Sequence, residues 1–113
     1  YNIYSEQQTI SGILWKRISI KMRLQVDATL KYITGRGSAK LTKADLSMEH
    51  DYNTYTNYGL PPGPIGSPSI KAIRAALYPT SSPYLFYLHS NSGQVYYATD
   101  HDGHVRNKNN YLR

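Results

Sequence analysis

Tyr52-Asn53-Thr54-Tyr55, three further residues, then Gly59-Leu60-Pro61-Pro62-Gly63-Pro64-Ile65 is the stretch on which the reading of this chain turns. Two glycines and three prolines fall within seven residues. Proline lacks the N–H that a helix interior or a central strand needs, so neither element can form here. The segment is therefore expected to be an irregular loop. Because proline lowers the entropy lost on ordering, such a loop can be rigid without regular hydrogen bonding.

Regular elements are expected on both sides of the loop. Upstream, Ile10, Ile13, Leu14 and Ile18 recur at helical spacing over residues 5–20, with Ser5 as N-cap and Gln8 three residues later. Lys16 and Arg17 then fall near the helix end, where cations suit the dipole. A short helix over 27–33 is expected behind an Asp27 cap, and Gly35-Arg36-Gly37-Ser38 breaks it. Thr42 caps another helix running through Glu49, with Asp45 at the third position.

Downstream, Ser67-Pro68 marks a helix start, Ile70, Ile73 and Leu77 line one face, and Pro79 ends it. Residues 84–88 read as a buried strand, Asn91-Ser92-Gly93 as a turn and residues 94–98 as the returning strand. Asp100 caps a last helix to Leu112. The fold class expected from this order is α+β, with helices packed on a small antiparallel hairpin and a long Pro/Gly-rich loop. Two strands are marginal as an independent sheet, so further strands upstream are expected to complete it.

Composition narrows the function classes. The 113 residues suffice for one small domain or part of a larger one. No run approaches the roughly 20 apolar residues that span a bilayer, and no signal peptide is visible. The absence of cysteine removes disulfides, thiol catalysis and Cys-ligated zinc. The net charge of +6 attracts polyanions, among them anionic cell-wall polymers. The cations are scattered in pairs such as Lys16-Arg17, which argues against a nucleic-acid interface. The 12 tyrosines offer flat apolar faces with a hydroxyl, a chemistry suited to sugar rings, although most are expected to pack in the core.

No Walker loop, GxGxxG, HExxH, CxxC or GxSxG is present. His101 and His104 lie three apart beside Asp100 and Asp102, but no third metal ligand is evident, and a polar helix start is the plainer reading. Among the seven acids Asp27 stands out, because the stretch Leu24-Gln25-Val26-Asp27-Ala28-Thr29 is otherwise uncharged. A helix cap is again the plainer role. The residues alone supply no general acid.

Three pieces of the chain together resemble the MltG/YceG-like family of endolytic murein transglycosylases. Residues 10–17, through Met22-Arg23-Leu24-Gln25-Val26-Asp27-Ala28-Thr29, look like that family's helix and its "MPLQSDPT" segment. The loop quoted first is similar to its "YNTYxxxGLPPGPI" signature. Tyr84-Leu85-Phe86-Tyr87, Gly93 to Ala98 and His104 look like its closing hairpin and helix. Val26 and Ala28 depart from the pattern, and Gly66-Ser67-Pro68 stands where "ANPG" is usual.

The resemblance implies cleavage between N-acetylmuramic acid and N-acetylglucosamine in nascent glycan strands. One glutamic acid protonates the leaving oxygen, and the muramyl 6-hydroxyl closes on the anomeric carbon to leave a 1,6-anhydro end. It implies no metal or organic cofactor. The partners implied are peptidoglycan strands and wall-synthesis enzymes, on the extracytoplasmic face of the bacterial membrane. The family's catalytic Glu lies in an "ASIVExE"-type segment that this chain does not contain, and Glu6 matches an acidic residue at the helix start instead. The chain thus resembles the C-terminal portion of the catalytic domain, without the LysM-like part or membrane anchor, and is expected to be inactive alone. Gln25, Asp27, Thr29, Tyr52, Asn53, Thr54, Tyr55, Gly59, Leu60, Pro61, Pro62 and Gly63 are the expected substrate-binding residues. Asn53 and Thr54 are expected to bond sugar hydroxyls, and Tyr52 or Tyr55 to stack on a ring. The alternative is a non-catalytic glycan-binding module.

Overall fold

A computed structural model describes residues 3–37, 40–90 and 92–112. Five helices and one hairpin follow in the order α1 (Ile3–Ser19), α2 (Asp27–Thr34), α3 (Lys43–Leu46), α4 (Ile70–Leu77), β1 (Phe86–His89), β2 (Val95–Ala98) and α5 (His101–Tyr111). The α+β class read from the sequence is the one observed. The chain forms two compact units: Tyr1–Lys16 with Pro68–Arg113, and Arg17–Ser67.

The first unit is organised by the hairpin. The two strands are antiparallel, with Phe86 opposite Ala98 and Leu88 opposite Tyr96. Phe86, Leu88 and Ala98 are buried on one face of the hairpin, and helix α5 covers that face; Val95, opposite His89 in the register, is buried on the other face. The Asp100 side chain caps α5 by accepting from the Gly103 N–H at 2.7 Å. His104 stacks on Phe86 at 5.0 Å, His101 meets the same ring edge-on, and Tyr111 stacks on Tyr96. The two histidines are thus engaged with an aromatic ring of the hairpin.

The end of α4 and the segment between it and the hairpin are strapped along α1. Trp15 Nε1 donates to the Ala76 carbonyl at 2.9 Å, and Gln8 Nε2 to that of Tyr78 at 2.9 Å. Lys16 Nζ donates to the carbonyls of Ser82 and Tyr84. Lys16 is therefore a clamp on the backbone rather than a solvated charge. Gly12 sits where Thr80 crosses the helix: a Cβ there would lie 2.0 Å from the Thr80 carbonyl oxygen.

In the second unit, Arg17 is 4% exposed, and its guanidinium donates to the Leu24 carbonyl at 2.6 Å. This holds the chain after α1 as it turns toward α2. Helix α2 ends at Gly35, whose φ of 76° is the left-handed conformation that glycine adopts without a steric penalty. Helix α3 carries the expected capping box between Thr42 and Asp45. Asp45 also pairs with Arg36.

Several boundaries differ from expectation. Helix α1 already includes Ile3, so Ser5 lies inside it, its carbonyl accepting from Thr9, and is not the cap. Asp27 is the first residue of α2 and not its cap. Val26 holds the extended cap position, and no side chain of its own closes it. Helix α3 stops at Leu46, three residues short of Glu49. Helix α4 is capped by Ser69, whose hydroxyl accepts from the Ala72 N–H at 3.1 Å, so it starts after the Ser67-Pro68 pair. The buried residue of α4 is Ala75, while Ile70, Ile73 and Leu77 are 71%, 47% and 67% exposed. The first strand begins at Phe86 rather than Tyr84, and of the turn residues Asn91 lies outside the described positions.

Candidate functional site

Every substrate-binding candidate read from the sequence falls in the second unit, on two segments: residues 22–29 and residues 52–65. The backbone and three hydroxyls lock these segments together. The Gln25 N–H donates to the Thr54 carbonyl at 3.2 Å. The Val26 N–H donates to the Thr54 hydroxyl at 2.8 Å. The Thr29 and Thr54 hydroxyls lie 3.1 Å apart, and Thr29 donates back to the Val26 carbonyl at 2.8 Å. With Thr54 donating to Thr29 the protons form a closed circuit, Val26 N–H to Thr54, Thr54 to Thr29, Thr29 to Val26 C=O, and the Thr54 hydroxyl can also donate directly to the Val26 carbonyl at 3.3 Å. Bonds in such a chain polarise one another and strengthen together. The circuit satisfies the N–H of the cap residue Val26 from another segment. It leaves the Asp27 carboxylate free to accept from the Tyr55 hydroxyl.

The structure divides the twelve candidates into two groups. Thr29, Asn53 and Thr54 are buried, and Asn53 is 0% exposed. The Asn53 amide is consumed by the fold: Nδ2 donates to the carbonyls of Met48 at 2.8 Å and Leu46 at 3.2 Å, and Oδ1 accepts from the Tyr55 N–H at 2.9 Å. The direct bonds from Asn53 and Thr54 to sugar hydroxyls expected from the sequence are therefore not what this geometry offers. These side chains shape the loop. Gln25, Leu60 and Pro62 are exposed, and Asp27, Tyr52, Tyr55, Gly59, Pro61 and Gly63 are half-buried. Gln25 has a φ of 51°, a left-handed position uncommon for a residue with a Cβ. Its backbone is set by the Thr54 carbonyl.

Aromatic contacts stiffen the loop. Tyr52 stacks on Tyr32 of α2, centroid to centroid 5.4 Å, and His50 meets it edge-on. Tyr32 is 55% exposed, so the pair forms a surface platform. Gly63 approaches the Tyr52 hydroxyl so closely that a Cβ would lie 2.8 Å from it. This glycine is set by close approach, whereas Gly59 is set by its φ of 78°. In the same unit, the Asp45 carboxyl is held below the ordinary carboxylate range, first by its bond from Arg36 and then by the Thr42 N–H.

Three features of this unit were not singled out from the sequence. Arg17, read as a helix-end charge, is buried. Tyr32 pairs with Tyr52, and Arg23 lies over the Tyr58 ring, 4.4 Å from its centroid. The basic and aromatic residues were visible, but their pairing depends on loop geometry that spacing does not encode. Among the described residues no group of three His, Cys, Asp or Glu side chains comes together.

The YceG-like family model matches residues 1–110. The chain belongs to the YceG-like family. This YceG-like chain is similar to a protein named endolytic murein transglycosylase from Bacillus subtilis, 32% identical over 108 residues, covering 96% of this chain and 30% of the relative. A protein of the same name from Streptococcus pneumoniae D39 is also 32% identical, over 90% of this chain and 20% of its own length. Among solved structures, a YceG-like protein from Listeria monocytogenes superposes with a TM-score of 0.81 at 39% identity, over 88% of this chain and 33% of that one. The chain thus spans a third or less of these relatives.

Proposed function

We propose that this YceG-like chain is the C-terminal portion of the catalytic domain of an endolytic murein transglycosylase, and that residues 22–29 and 52–65 form one wall of its glycan site. The observation that carries the reading is the Thr54–Thr29–Val26 circuit together with the Tyr55–Asp27 bond. It joins the two segments of closest family likeness into one surface. Gln25, Leu60 and Pro62 are exposed there, and Tyr52, Tyr55, Gly59, Pro61 and Gly63 are half-buried. Sugar rings with apolar faces and hydroxyl rims suit such a surface.

In this reading the chemistry is lytic rather than hydrolytic. A general acid supplied from upstream of α1 donates its proton to the oxygen that leaves with N-acetylglucosamine. The muramyl 6-hydroxyl attacks the anomeric carbon and gives its proton to the carboxylate that the acid has become, giving the 1,6-anhydro product with no water consumed. One carboxyl group suffices because the substrate supplies the nucleophile. Asp27, its carboxylate already holding the Tyr55 hydroxyl, orients the wall. The reaction belongs on the extracytoplasmic side of a bacterial membrane, near wall-synthesis enzymes.

The test is an assay of polymeric peptidoglycan with two proteins: residues 1–113, and a form extended upstream by about one domain length. Mass spectrometry reads the products. Anhydromuramyl ends from the longer protein alone are the expected result. Turnover by residues 1–113 sinks the placement of the acid. Reducing muramyl ends indicate a hydrolase, and strand binding without cleavage a binding module.

A further inference from the structure

Arg23 and Tyr58 lie on the two wall segments but have no part in the circuit that joins them. Arg23 is two residues before Gln25 and Tyr58 four after Thr54, so their contact bridges the segments at one end of the wall. The two bonds between Thr54 and residues 25 and 26 fix that bridge. Tyr58 is 61% exposed, so the guanidinium lies over a ring at the surface.

Its charge is uncompensated locally. Among the described residues the ion pair is Arg36 with Asp45, and no described carboxylate lies within salt-bridge distance of Arg23. Arg23 Nε is buried and donates to no acceptor among the described residues. The nearby carbonyls of residues 23 and 24 are already taken by Arg17. A buried donor of this kind is costly and calls for an acceptor. Guanidinium presents its N–H groups as a planar fork matched to the two oxygens of a carboxylate. Stacking on Tyr58 holds that plane, and because Nε is shut off from solvent the two η nitrogens, which are not buried, are the donors a ligand can reach.

We infer that Arg23, oriented by Tyr58, is a specificity residue that engages a carboxylate of the peptide-bearing glycan strand. This rests on the glycan-wall reading above and adds to it a preference for strands that keep their negative charge. Tyr58 acts as the positioning residue. The overall charge of +6 attracts the same strands diffusely, so the test must separate one directed guanidinium from bulk attraction.

The experiment uses the full-length protein and soluble glycan strands, native or with their carboxylates converted to methylamides. Binding is measured at one ionic strength for wild type, R23Q, R23K and K71Q, the last removing an exposed charge on α4 outside the wall. Wild type and K71Q are expected to bind native strands about tenfold more tightly than amidated ones, the size of one charge-assisted contact. In R23Q the ratio falls to the residual set by diffuse attraction, well below that of K71Q, while R23K, which keeps charge without the fork, gives an intermediate ratio. A ratio unchanged in R23Q, or reduced equally in K71Q, overturns the inference. So does a wild-type ratio of one. If R23Q does not fold, the R23K ratio decides, an unchanged value being the refuting one. Anhydro-end analysis of the same samples separates the two readings: no cleavage with the ratio intact sinks the transglycosylase reading alone.

Discussion

Asn53→Ala is the sharpest test of how the loop is built. The substitution removes two donated bonds, to Met48 at 2.8 Å and Leu46 at 3.2 Å, and one accepted from the Tyr55 N–H at 2.9 Å. Three backbone groups lose their partners, and each costs roughly 1 kcal/mol at this partial burial. The side chain is itself 0% exposed, so a small void adds to the loss. The sum is on the order of 3 kcal/mol, a large share of the roughly 5–15 kcal/mol by which domains are stable. Urea unfolding of the 113-residue chain followed by far-ultraviolet circular dichroism reads it directly. With a slope of about 2 kcal/mol per molar, the midpoint falls by roughly 1.5 M. Asn53→Asp keeps the shape and the acceptor for the Tyr55 N–H but loses the amide donors and places a carboxylate against two carbonyls, so it is expected to remain destabilised. A midpoint within about 0.3 M of wild type, together with lost turnover in the full-length protein, would refute the reasoning and return Asn53 to direct contact with substrate.

Three further outcomes follow from the geometry. Gly12→Ala forces a methyl group to 2.0 Å from the Thr80 carbonyl oxygen; the helix or the strap must move, at a cost of about 1–3 kcal/mol, and a melting temperature equal to wild type contradicts the packing. Asp45 has a folded pKa below its ordinary 3.8, so its contribution is fully present above that value and is lost as pH falls through the folded pKa; acid titration of stability should show this loss in wild type and lack it in Asp45→Asn. Tyr55→Phe removes the hydroxyl that Asp27 accepts; it is expected to lower turnover by about tenfold in the full-length protein with a small change in melting temperature, and unchanged turnover removes Asp27 orientation from the mechanism.

The fold was legible where local rules govern. Thr42 with Asp45, Asp100 with Gly103, and the alternation of Phe86 and Leu88 are encoded by neighbours a few residues apart. The errors lie where a distant segment decides. Asp27 looked like a cap because capping residues are short and polar, but the Val26 N–H had already found the Thr54 hydroxyl 28 residues away. Ser67 and Ser69 are chemically equal as caps, and only the bond to Ala72 separates them. The candidate site was legible as two segments but not as roles. Spacing placed Asn53 and Tyr52 side by side, and tertiary packing turned one inward and left the other half-exposed. Arg23 and Tyr58 are 35 positions apart, beyond the reach of any periodicity.

The hydroxyl circuit at Val26 has a consequence for how such chains diverge. Without the Thr29 hydroxyl, Thr54 can still donate to the Val26 carbonyl at 3.3 Å, whereas without Thr54 the Val26 N–H loses its acceptor. Replacement at position 54 by an apolar residue of similar volume is then harsher than at position 29, and position 54 should vary less through related sequences.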